Sequence, residues 1–302
     1  MLLSYHYPLS EVVPYINWSY FFHAWGFPAR FAAIAHVHGC DSCRASWLSS
    51  FPVEDRARAA EAMQLHKEAL RLLTFLDQQG HHVHFRFGLF PCYSHGEDII
   101  IDESDRPTLS FLRQQTPPFL CLADFVRPFS PNVQPDCLGV FCAAADTAIE
   151  QLYAEGTSDA DAYRHLLCQT LADRLAEAAT ERAHQAVRRH YWGYDPDEDL
   201  SIDDLHAERF QGIRPAVGYP SLPDQSLAFD LDRLINFSAI GIRLTEHGAM
   251  QPHAAVCGLM LAHPQARYFA VGPIGEDQLA DYAQRKGRSP EELRPFLAAN
   301  LA

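Results

Sequence analysis

Between residues 54 and 78 the chain reads EDRARAAEAMQLHKEALRLLTFLDQ, with Ala60, Met63, Leu70, Leu73 and Phe75 spaced among charges. That spacing predicts an amphipathic helix, and Gly80 is its stop. VHFRFGLF then alternates as a half-buried strand does, a turn follows at Ser94 to Gly96, and DIIID reads as the partner strand. FLCLADFVRP at 119–128 and LGVFCAA at 138–144 are short apolar runs, expected to be buried strands. Residues 159–192 contain neither Gly nor Pro, and Leu167, Leu171, Leu175 and Ala178 mark the apolar face of a long helix. Towards the end, AAVCGLMLAH and RYFAVG read as two strands, and EDQLADYAQRKG as a helix closed by Gly287. Ser289, Pro290 and Glu292 match a capping box with proline at the first helical position. Upstream, NWSYFFHAWGF puts six large aromatic residues into eleven positions, a density that predicts core.

Composition changes this picture little. The chain has 302 residues, 48% hydrophobic and 21% charged, enough for a large core. It shows no internal repeat and no linker rich in Gly or Ser, so residues 1–302 are expected to be a single domain. No apolar run approaches the roughly 18 residues of a membrane span, and MLLSYHYPLSEVVPY lacks a basic leader region, which makes a cytoplasmic location the expectation. The formal charge of -14 argues against a nucleic-acid partner, since such binding draws on a basic surface. It suits a cationic ligand or a partner with a basic face. Eight cysteines, most of them within apolar runs, read as small hydrophobes rather than a disulfide framework.

Candidate chemistry concentrates at GIRPAVGYPSLPDQ, residues 212–225. Pro215 and Pro220 bias Arg214 and Tyr219 towards extended geometry, so the loop is preset. Arg214 offers a fork of donors suited to a carboxylate, and Gly218 admits close approach to the backbone. On the long helix Asp173, Glu177 and Glu181 form an acidic stripe that His184 and Arg188, on the same face, are placed to compensate. Cys40 and Cys43, preceded by His36 and His38 in HVHGCDSC, leave three readings open: a metal site, idle thiols, or redox chemistry. No metal is assigned among the site residues. His82 and His84 fall on one side of their strand, expected to be a solvated face. No Walker loop, GxSxG, HExxH or GxGxxG occurs, and Asp204 and His206 begin a DxHxxG that Arg209 breaks.

YINWSYFF, LRQQ at 112–115, LADFV at 122–126, LADRLAEA at 171–178, YWGY at 191–194, GIRPAVGYP at 212–220, LTEHGAM at 244–250, and YFAV followed by DQLADYAQRKG occur in that order. Together they resemble the activation domain of cobalamin-dependent methionine synthase, over nearly the whole chain from about residue 10. The resemblance implies an α+β, C-shaped domain with a central antiparallel sheet flanked by helices, binding S-adenosylmethionine. It also implies that cobalamin oxidised to the cob(II) state is remethylated on a partner, a cobalamin-binding methyltransferase polypeptide, with an electron from a flavodoxin-type donor. By the same resemblance Arg214 and the loop backbone around Gly218 and Tyr219 face the cofactor, together with Glu177, Tyr268 and Phe269.

The sequence departs from the family at Asn17, where the family has an aspartate that contacts the cofactor. Losing that charge removes about 1.5 to 3 kcal/mol of charged hydrogen bonding, equivalent to roughly ten- to a hundredfold in affinity. Gln225 replaces a usual histidine. HVHGCDSCRASW is an insertion relative to the family, around residues 36–50. The 302 residues contain no homocysteine, folate or cobalamin module, so the expectation is a stand-alone module that acts in trans. The alternative is a non-catalytic docking subunit that has lost S-adenosylmethionine.

Overall fold

The structure, a computed structural model, describes residues 1–103 and 107–301. The chain packs as two compact units. The first comprises Met1–Tyr5, His84–Ala144 and Thr180–Ala302, and the second His6–Val83 and Ala145–Ala179.

The first unit is built on a six-stranded sheet. Its strands are β1 (Leu2–Pro8), β2 (His82–His95), β3 (Asp98–Ile101), β4 (Thr108–Ser110), β5 (Asp136–Ala145) and β8 (Ala255–Met260), in the order β4-β3-β2-β5-β8 with β1 also paired to β2. Two short strands, β6 (Arg243–Leu244) and β7 (Met250–Gln251), form a separate ladder. Along β2, Val83, Phe85 and Phe87 are buried while His82, His84 and Arg86 are half-buried, which is the alternation of one covered face. The histidines therefore lie on the more open face, though packed against neighbours rather than fully solvated. The hairpin into β3 pairs His95 with Asp98, with Gly96 at φ +62° making the tight reversal.

Strand β5 is buried without interruption from Leu138 to Ala145, as a central strand covered on both faces must be. It runs antiparallel to β8, with Val140 opposite Leu259 and Cys142 opposite Cys257. Helix Leu227–Ile235 lays Leu227, Leu231, Leu234 and Ile235 into the same core. Helices Glu276–Lys286 and Pro290–Leu297 pack through Leu279, Tyr282, Leu293 and Leu297. The Ser289 capping box is present, its hydroxyl accepting from the Glu292 N–H. An antiparallel sheet with flanking helices is the α+β arrangement that the sequence implied.

In the second unit Phe21, Phe22 and Phe31 are fully buried; Phe21 meets Phe22 edge to face, and Phe27 meets Phe22 and Phe31 in the same way. Each such ring contributes about 1.5 to 3 kcal/mol on burial. Helix Val53–Gln78 covers this cluster and ends beside Gly80 at φ +79°. Its buried stripe is Ala59, Ala62, Leu65, His66, Ala69, Leu73 and Leu76. Of the five residues expected there only Leu73 is buried, and Leu70 and Phe75 are exposed. The true face is rich in alanine, so the larger side chains around it carried the apparent pattern.

Two expected strands are absent. Within residues 119–128, Cys121, Leu122, Ala123, Phe125 and Val126 are buried, but the chain forms a 3-10 turn at Leu122–Phe125, because Asp124 Oδ2 accepts the Cys121 N–H at 2.8 Å and its carboxylate also takes both arms of Arg113. Residues 267–272 run without a ladder and are held by single bonds, including Val271 N–H to the Pro220 carbonyl. The long helix spans Asp159–Ala186 and continues as a π-turn, Val187–Tyr191.

Candidate functional site

The loop carrying Arg214 lies along β8 as a short added edge. Ile213 and Leu261 exchange N–H to carbonyl bonds of 2.9 and 3.0 Å, Leu259 donates to the Pro215 carbonyl, and Val217 donates to the Cys257 carbonyl. Proline is tolerated here because an edge position can spare a donor. The approach is close enough to require glycine opposite: a Cβ on Gly258 would stand 2.2 Å from the Pro215 oxygen. The chain then reverses at Gly218, φ +87°, with Tyr219 N–H bonded to the Ala216 carbonyl and Gly218 N–H to the Leu222 carbonyl. The prolines thus stiffen a turn that is also tied down at both ends.

This turn brings together most of the residues singled out in the first unit. The Arg214 backbone N–H donates to the Tyr268 hydroxyl at 2.9 Å, which fixes the tyrosine beside the arginine. Burial raises the pKa of that phenol above its ordinary value, so it remains protonated near neutrality. Tyr219 and Tyr268 keep 52% and 37% of their surface exposed. Phe269 is half-buried and packs against both core clusters. Gln225 sits under the turn, its amide nitrogen 3.9 Å from where a Cβ on Gly218 would lie.

The Arg214 guanidinium reaches the helix behind the loop. It makes a two-pronged pair with Glu181, at 2.7 Å from Nη2 and 3.2 Å from Nη1, with 15% and 9% of the two side chains exposed. A second, fully buried pair lies alongside: Arg188 grips both oxygens of Glu198. Phe210 lies close to both cations, its ring centroid 4.1 Å from Arg188 Cζ and 6.0 Å from Arg214 Cζ, so its ring answers both charges.

His184 joins the two arginines. Its Nδ1 lies 2.8 Å from Arg188 Nη1 and 3.2 Å from Arg214 Nη1. Arginine only donates, so Nδ1 is an acceptor and the ring proton sits on Nε2, towards the Tyr194 hydroxyl. Burial, then the charges of Arg188 and Arg214, hold this histidine well below its usual pKa and keep it neutral. The acidic stripe is therefore compensated differently from expectation: Glu181 is neutralised by the loop arginine, while Arg188 is spent on Glu198. Glu198 and Phe210 carried no local signal in the sequence, because they reach the helix only after the π-turn redirects the chain.

Asn17 and Glu177 belong to the second unit, the other five to the first. Asn17 caps helix Trp18–Ala24, its Oδ1 accepting the Ser19 N–H at 3.1 Å. Glu177 is half-buried on the long helix, one turn before Glu181.

Comparison with known proteins bears on this arrangement. Residues 8–287 match the family model described as vitamin B12 dependent methionine synthase, activation domain. A crystal structure described as the MetH reactivation domain bound to AdoHcy superimposes with a TM-score of 0.85 at 34% sequence identity, covering 100% of this chain and 90% of that one.

Proposed function

Because the chain belongs to the activation-domain family of vitamin B12 dependent methionine synthase, we propose that it binds S-adenosylmethionine through Arg214, Gly218, Tyr219, Tyr268 and Phe269. In this reading it supports the reductive remethylation of cobalamin carried by a separate methyltransferase polypeptide, with a flavodoxin-type protein as electron donor. The observation that carries the reading is the pinned Arg214 loop, in a chain whose 34%-identical neighbour holds AdoHcy. AdoHcy differs from S-adenosylmethionine by the transferred methyl group.

The donor set fits such a ligand. Its amino-acid head carries a carboxylate, and Arg214 already grips one carboxylate, that of Glu181, through two nitrogens. Its purine needs aromatic surface, which Tyr219 and Tyr268 leave exposed. Its sulfonium is a cation, and the chain is acidic. When bound, S-adenosylmethionine supplies the methyl group. The chain's own part is positioning: Glu181, His184 and Phe210 hold the guanidinium in one orientation, the Tyr268 hydroxyl fixes the backbone of Arg214, and Gly218 lets a ligand lie against the turn. Asn17 and Glu177 enter by the family pattern, each to be tested by itself.

A second reading, the docking subunit that no longer takes S-adenosylmethionine, is favoured by Asn17, which lacks the charge of the family's aspartate. Both are tested by adding the purified chain to a cob(II)alamin-inactivated methyltransferase with reductant, with and without S-adenosylmethionine. Faster recovery that needs S-adenosylmethionine is expected. No acceleration sinks the first reading, and a tight complex indifferent to S-adenosylmethionine supports the second. No helix among the described residues is long and apolar enough to cross a membrane.

A further inference from the structure

The segment HVHGCDSC joins the 3-10 turn Ala29–His36 to helix Asp41–Ser49. A ring nitrogen of His38 and the sulfurs of Cys40 and Cys43 all lie within 4.8 Å of one another. From these three donors we infer that the protein carries a zinc site outside the cofactor loop, with two thiolates, one imidazole and a fourth position left to solvent.

Local backbone geometry explains why the donors converge. Cys40 is the residue that opens the helix, and its sulfur accepts the Cys43 N–H at 3.4 Å, so both sulfurs face the same end. His38 approaches from outside the helix, its Nδ1 lying 3.4 Å from the Cys40 N–H. Two helical thiols would be an unremarkable CxxC, but an imidazole from the preceding segment adds a ligand that helix formation does not supply. In a tetrahedral site with bonds of about 2.3 Å to sulfur and about 2.0 Å to nitrogen, the ligand atoms stand roughly 3.5 to 3.8 Å apart. Small side-chain rotations close the present cluster to that size.

Burial separates this pair from the other cysteines. Cys92, Cys121, Cys142, Cys168 and Cys257 are buried in apolar surroundings and Cys137 is partly buried, whereas Cys40 is exposed and Cys43 half-buried. Hydrophobic packing accounts for the first group and not for the second. Two thiolates and an imidazole select a borderline-soft ion with no demand for oxygen ligands, which excludes calcium and magnesium and favours zinc. Binding releases the two thiol protons to solvent, and the two thiolate charges balance the dication. The ion would clip the end of the 3-10 turn to the start of the helix.

The test uses the full chain, reduced and stripped of metal, titrated with zinc against a chromogenic chelator and separately with cobalt(II). One equivalent of zinc is expected, and cobalt should show thiolate charge-transfer bands together with the visible bands of a tetrahedral ion. Cys40→Ser/Cys43→Ser should abolish this binding, and His38→Ala should weaken it by at least about tenfold, both with unchanged circular dichroism. Absence of stoichiometric metal, a cobalt spectrum without thiolate bands, or binding that survives the double serine change would each overturn the inference. The cobalt spectrum of the unmodified chain decides the matter even if a variant fails to fold.

Discussion

The Glu181–Arg214 pair makes the sharpest energetic prediction. Removing one partner of a buried ion pair costs about 3 to 5 kcal/mol, because the other charge is left unpaired in a poor solvent. Here 15% and 9% of the side chains reach water, and the cost falls to about 2 to 3 kcal/mol, near that of a charged hydrogen bond. Arg214→Met and Glu181→Leu alone should each lose that much, whereas the double change removes both charges and should lose little more than one single. The coupling energy is then about 2 kcal/mol, within the range for contacting residues. Urea unfolding of the four proteins measures it, with Trp192 reporting the first unit and Trp18, Trp25 and Trp47 the second. Additive losses, with coupling under about 0.5 kcal/mol, would refute the pairing and with it the orientation given to the guanidinium.

Asn17→Asp should leave the capped helix as stable or up to about 1 kcal/mol more so, since a carboxylate suits a helix N-terminus, while S-adenosylmethionine affinity rises roughly ten- to a hundredfold. An unchanged affinity by calorimetry would remove Asn17 from the cofactor. Gly258→Ala forces a Cβ to within 2.2 Å of the Pro215 oxygen, so the loop must leave β8; loss of cofactor binding with retained circular dichroism is expected, and normal binding would contradict the packing. Burial, and then the charge of Arg44, lowers the His66 pKa to about 4, and His184 is also held low. Below about pH 6.5 the unfolded chain takes up protons that the folded one refuses, so stability falls with pH by roughly 1.4 kcal/mol per unit for each histidine. His66→Leu should flatten that slope between pH 6.5 and 4 without losing a bond at its buried Nε2, which has no partner; an unchanged slope in urea midpoints would refute the assignment.

Much of the scaffold is legible in the sequence because single signals suffice for it. Gly80, Gly287 and the Ser289 capping box act within a few residues, and so they place helix ends correctly. The apolar run at 119–128 misleads because burial alone does not make a strand: Asp124 and Arg113 divert that backbone into a turn. At the site, Arg214, Gly218 and Tyr219 stand out through their prolines and glycines. Their supporting layer does not, since Glu198 meets Arg188 across a π-turn and Phe210 meets both arginines only in three dimensions. Asn17 shows a further limit: the sequence identifies a lost charge, and the structure adds a capping bond that aspartate would make equally well.

The central claim is that the Arg214 loop holds S-adenosylmethionine, and calorimetric titration of that compound into the purified chain, beside Arg214→Ala, tests it most directly. The account predicts a saturable binding isotherm for the unmodified chain that Arg214→Ala abolishes. Binding of equal strength to both proteins, or none to the unmodified chain, would contradict it.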